Sequence, residues 1–86
     1  MQTGLIGTAL GDDPRGREVA GQLKQLGVLG EVRLSPHIST PFEVDISDQT
    51  GARTYFWQRT PEVLDTLDSA DLSLLELTRL LYVDWY

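Results

Sequence analysis

The sequence predicts an α/β fold of buried strands and helices with an antiparallel hairpin set between them. Three observations predict it. Residues 3 to 10 are small and apolar at both parities, residues 14 to 26 carry an amphipathic helical stripe, and residues 41 to 59 alternate around a glycine turn. Both-parity apolar runs belong to strands covered on two faces, whereas alternation marks a strand with one wet face.

In chain order, Thr3 to Leu10 reads as the first buried strand. Gly11-Asp12-Asp13-Pro14 breaks it. Asp13 is a good N-cap, and Pro14 suits the first helical position, where a missing N–H costs nothing. Val19, Leu23 and Leu26 then share one helical face. Gly27 stands where a left-handed residue ends a helix, with Val28 packing back on the last turn. Residues 31 to 35 and 41 to 47 alternate, Phe42, Val44 and Ile46 on one side and Glu43, Asp45 and Ser47 on the other. Ser47 to Gly51 is turn chemistry. Arg53 to Arg59 is the second hairpin strand, with Tyr55 and Trp57 opposite Phe56.

Thr60-Pro61-Glu62 starts a helical segment of a turn or two. Ser69 to Leu81 forms a further helix, begun either by a Ser73/Glu76 capping box or by Asp71. Leu80 to Val83 reads as a last buried strand. The whole is one partial domain, 1–86: core strand and helix in 1–28, lid strands in 31–59, helix and core strand in 60–86. In open α/β sheets ligands sit beyond the carboxyl ends of the strands, which expects Gly11-Asp12 and Asp84-Trp85-Tyr86 near a cleft and the hairpin as its lid.

Composition narrows the function. Thirteen acids against seven bases give a net charge of −6 over 86 residues. Phosphate backbones and anionic membranes need a basic face, so neither nucleic acid nor membrane is an expected partner. With no cysteine and one histidine, thiolate and multi-histidine metal sites are excluded. No secretory signal or membrane span is legible, which leaves the cytoplasm as the expected compartment.

The stretch GLIGTALGDDPRGREVAGQLKQLGV resembles a segment of the ribokinase-like (PfkB) carbohydrate kinases. The positions that carry the likeness are Gly11, Asp12, Asp13, Gly16, Leu23, Gly27 and Val28. STPFEVDISDQTGARTYFWQR resembles that family's lid strands, and DLSLLELTRLLYVDWY the helix and strand beyond them. The resemblance implies ATP-dependent phosphorylation of a sugar hydroxyl, with ATP and Mg as the parent family's cofactors. It also implies a sugar or sugar-acid substrate and a homodimer through the lid hairpin. The family's Gly-Ala-Gly-Asp motif, which holds the proton-accepting aspartate, is not in these residues, nor is its Gly-Gly-x-x-x-Asn type segment. The expectation is therefore a lid and sugar-side fragment, inactive alone and binding no cofactor alone.

By the same resemblance, Arg59 matches the end of a Tyr-Tyr-Arg run that contacts acid sugars, although Gln58 replaces the second tyrosine; the competing reading is an exposed strand-end arginine. Tyr55 and Trp57 are suited to stacking on a sugar or on a partner's lid, and equally to packing a half-buried strand. No residue is assigned a catalytic or metal role. Asp12 shapes the turn and Asp13 caps the helix, adjacent carboxylates that diverge. Gly4, Gly7 and Gly11 follow GxxGxxxG, not the dinucleotide fingerprint GxGxxG. His37 is a surface residue of the lid's lead-in. Asp84 either faces the sugar cleft or caps an element beyond the last strand.

Overall fold

The computed structural model describes residues 1–58 and 60–84. Its architecture is small and mixed α/β. Strand β1 (Leu10–Gly11) leads into helix α1 (Pro14–Gln25), which returns to β2 (Leu34–Ser35); β3 (Phe42–Ser47) and β4 (Arg53–Gln58) come next. Two 3₁₀ helices, Pro61–Ser69 and Ser73–Leu77, close the described chain.

β1 and β2 pair in parallel, Leu10 with Leu34 and Gly11 with Ser35. The pairing extends upstream as a parallel bridge between Gly4 and Leu29. Leu5 N–H donates to the Leu29 carbonyl at 2.8 Å, and Leu29 N–H to that of Thr3 at 2.9 Å. Two parallel segments joined through α1 make a βαβ crossover.

The expected strand over 3 to 10 is interrupted, because the backbone between its two paired ends finds other partners. Ala9 N–H donates to Thr66 Oγ1 at 2.8 Å, and the Gly7 carbonyl accepts from the Arg33 guanidinium at 3.4 Å. Nor is this segment covered on both faces: Ala9 is buried, but Leu5 is exposed and Ile6 half-exposed. Of the alternating stretch 31 to 35, only Leu34–Ser35 is strand.

Helix α1 begins and ends as its residues dictate. Asp13 is extended and its side chain accepts from Gly16 N–H, with Pro14 in the first turn. Leu26 is the C-cap, and Gly27 follows at φ 69°. Val28 N–H reaches back to the Leu23 carbonyl and Gly27 N–H to that of Lys24, both at 3.1 Å, which is the Schellman pattern. The buried face is not the expected stripe. Gly16 is buried and Ala20 and Leu23 half-buried, while Val19 and Leu26 are exposed. The helix leans on β1 through its smallest residue. A Cβ at Gly16 would collide with the Gly11 carbonyl oxygen, so this close approach requires glycine.

The hairpin is antiparallel with Val44 opposite Phe56 and Ile46 opposite Thr54. Its turn is organised by Asp48 Oδ1, which accepts from Thr50 N–H (2.8 Å), the Thr50 hydroxyl (2.7 Å) and Ala52 N–H (3.1 Å). Gly51 supplies the positive φ, 84°. Apart from Phe42, every residue of the two strands is exposed.

The C-terminal third departs most from expectation. The 3₁₀ helix at Pro61 starts where predicted, with Val63 N–H on the Thr60 carbonyl at 3.0 Å, but runs nine residues. The expected helix over 69 to 81 is a single 3₁₀ segment, Ser73–Leu77. No Ser73/Glu76 capping box forms. Asp71 Oδ1 accepts from Ser73 N–H at 2.9 Å instead, leaving Leu72 at the cap. The expected strand over 80 to 83 is absent: Leu80 and Tyr82 are 86% and 83% exposed, and no described strand pairs with them. A strand is stabilised by its ladder and its neighbours' side chains, and a leucine-rich helix by an apolar face to bury.

The buried apolar residues are Ala9, Ile38 and Val63 (3, 9 and 4% exposed). The radius of gyration is 15.0 Å, against about 12 Å for a compact chain of this length. The accessible surface is 7415 Å², where a folded monomer of this mass exposes about 5,100 Å². No described helix is long and apolar enough to cross a membrane.

Candidate functional site

Two places concentrate chemistry: the turn before α1 and the aromatic face of the hairpin. At the turn, Asp13 is saturated. Its Oδ1 accepts from Gly16 N–H and from the Thr40 hydroxyl, both at 2.8 Å; its Oδ2 accepts from Thr40 N–H at 2.8 Å. The Thr40 hydroxyl in turn accepts from Gly11 N–H at 3.0 Å. Hydrogen bonds to the ionised form favour it, so Thr40 N–H first, then Gly16 N–H and the Thr40 hydroxyl, hold the Asp13 carboxyl at about 2. A carboxylate so held is a poor proton acceptor. Asp12 faces away, with Arg17 Nη1 on its Oδ1 at 2.6 Å. The two adjacent acids diverge and form no acid–base pair.

Thr40 is the residue of this turn that sequence reasoning missed. It is 6% exposed, the buried polar residue of the described chain. A threonine before proline in a lead-in loop carries no periodicity signal, and its partners lie 27 and 29 residues away. The one clue was Asp13, a cap with a second oxygen to satisfy.

On the hairpin, register decides the faces. Glu43 pairs with Trp57 and Asp45 with Tyr55, so both aromatics share a face with both acids. Directly opposed residues lie within side-chain reach of one another. Arg53 Nη1 lies 3.7 Å from Asp45 Oδ2 on the same face. Val44, Ile46 and Phe56 occupy the other. Tyr55 and Trp57 are 51% and 62% exposed, so they do not pack a core. Flat rings beside carboxylates suit a polyhydroxylated ligand: the rings take its C–H face and the acids accept its hydroxyls.

Arg59, the third expected contact, lies outside the described residues, as do Trp85 and Tyr86. Asp84 is exposed and ends no strand. His37 is exposed, its backbone N–H on Ser35 Oγ at 3.3 Å. Among the described residues a small hollow lies elsewhere, between Leu5, Gly7, Glu31, Arg33 and Asp71. Arg33 is the clamp there, donating to the Thr66 carbonyl and Ser69 Oγ at 2.6 Å and so tying the 3₁₀ helix to the parallel pair. Among the described residues no cluster of three or more metal-ligating side chains forms.

No family model, curated protein or solved structure matches the chain.

Proposed function

We propose that the chain is the lid and sugar-side portion of a ribokinase-like carbohydrate kinase, in which ATP phosphorylates a sugar hydroxyl. The observation that carries this reading is the hairpin face that sets Tyr55 and Trp57 beside Glu43 and Asp45, projecting from a βαβ crossover with a capped Gly-Asp-Asp turn. The rings and acids are the sugar-facing groups of this proposal, joined by Arg59 at the end of the run. Phosphoryl transfer needs a proton acceptor and an anion cradle in one pocket. Asp13 is committed to three donors and Asp12 to Arg17, so the turn supports a sugar cleft and leaves the chemistry to residues outside this segment.

Nuclear magnetic resonance titration with a panel of aldoses and sugar acids tests the reading. Shifts gathered on Tyr55, Trp57 and their cross-strand acids are the expected result. Shifts that bypass this face overturn the sugar-side assignment. Turnover of ATP by the chain alone overturns its assignment as the non-catalytic portion.

A second reading is favoured by the surplus of about 2,300 Å² of accessible surface over a compact monomer. On this reading the hairpin is a self-association module whose face of Val44, Ile46 and Phe56 is covered by a second copy. Sedimentation decides it: Val44→Lys should shift a dimer to a monomer, and a wild-type chain monomeric at high concentration excludes it.

A further inference from the structure

We infer that Asp13 and Thr40 form a latch that sets the angle of the hairpin against the helix, so that one carboxylate both starts α1 and anchors the hairpin. The inference stands on hydrogen bonds and holds whether or not the chain belongs to a kinase.

The two oxygens of Asp13 have separate duties. Oδ1 takes Gly16 N–H, the helix-capping bond, and the Thr40 hydroxyl; Oδ2 takes Thr40 N–H, which belongs to the backbone two residues before β3. Thr40 passes the tie on to Gly11 N–H at the end of β1. Strand, helix and hairpin root thus meet at one buried side chain and one carboxylate. Two further contacts brace the root. The Arg15 guanidinium lies 4.0 Å from the centre of the Phe42 ring, and Ser39 N–H donates to Thr60 Oγ1 at 3.2 Å. Phe42 is the only half-buried strand residue of the hairpin, and it sits at the root. A lever exposed beyond its base takes its direction from that base.

The latch separates from the cap by substitution. In D13N an amide oxygen still accepts from Gly16, but the amide nitrogen, a donor, replaces the acceptor facing Thr40 N–H. T40A leaves Asp13 on Gly16 and removes the hydroxyl. The chain has no cysteine, so spin labels at Q22C on α1 and Q49C at the hairpin tip report the angle without background. The expected result is a narrow label-to-label distance distribution in the otherwise native chain. D13N should broaden it, with the helical circular dichroism retained and the β3–β4 cross-strand contacts intact. In the same variant Thr40 N–H should exchange with solvent about tenfold faster, the loss of one hydrogen bond to a charged group. Should D13N lose its helix, T40A replaces it and should broaden the distribution with α1 intact, while T40S, which keeps the hydroxyl, should restore it. A distribution that stays narrow in T40A, or in a helical D13N, overturns the latch. So does a broadening that comes only with separation of the hairpin strands.

Discussion

The turn before α1 and the hairpin beyond β2 are built on opposite terms. At the turn, Gly11 and Gly16 are buried, backbone approaches backbone, and each side-chain oxygen of Asp13 and Thr40 is hydrogen-bonded. In the hairpin the backbone is paired strand to strand, but every strand residue except the half-buried Phe42 is exposed. At the turn many constraints converge on a few atoms, whereas the hairpin's own bonds fix only its shape. Buried hydrogen bonding and exposed aromatic surface therefore sit apart in this molecule. Tyr55 and Trp57 are displayed, whereas Asp13 and Thr40 hold the display in place.

That contrast breaks hardest at Gly16. G16A places a methyl group on the Gly11 carbonyl and should cost about 3 kcal/mol, read as a large fall in the thermal midpoint. T40V comes next. It strands the Gly11 N–H in a buried site and should cost about 1–3 kcal/mol in a denaturant titration.

Acid probes the same region. Asp13 is held at about 2 from its ordinary 3.8, a depressed value in the folded state. Its contribution is therefore fully present above about pH 4 and is lost as pH falls towards 2. Asp48, held down by its bonds from Thr50, and Asp71, by those from Ser73, act in the same direction. An acid titration monitored by circular dichroism should show this loss, and D13N should flatten it between those limits.

The hairpin should respond differently. Y55A and W57A should each change stability by about 1 kcal/mol or less, the worth of an exposed cross-strand pair, yet weaken sugar binding in the resonance titration. A large loss of stability in either would erase the distinction between the two regions. The smallest effect is of opposite sign. Gly21 has open space around its Cα, so G21A should stabilise the exposed helix interior by about 0.5–1 kcal/mol in thermal unfolding, in contrast with G16A five residues earlier.

Local chemistry was legible at α1 and at the hairpin turn, where the partners lie within a turn of chain. Asp13 and Pro14 start α1, Gly27 ends it, and Asp48 with Gly51 turns the hairpin, each by bonds spanning a few residues. Alternation within the second hairpin strand made the common face of Tyr55 and Trp57 readable, and the divergence of Asp12 from Asp13 was readable too. Features that needed distant partners were not readable. Val19 and Leu26 promised a buried stripe, but the close approach of Gly16 to Gly11 chose another face. Leu80 to Val83 has the composition of a buried strand, yet composition makes no ladder, and in the fold these residues lie exposed.

The amino-acid sequence by itself determined the helix with its two caps, the hairpin with its turn, and which residues of each hairpin strand share a side. Only the tertiary structure decided that Thr40 would join Gly11 to Asp13, that glycine would be the contact between helix and strand, and that the C-terminal leucines would stay uncovered. The physical reason is range: caps, turns and alternation are satisfied within a few residues, whereas burial and long-range hydrogen bonds depend on which surfaces the whole chain brings together.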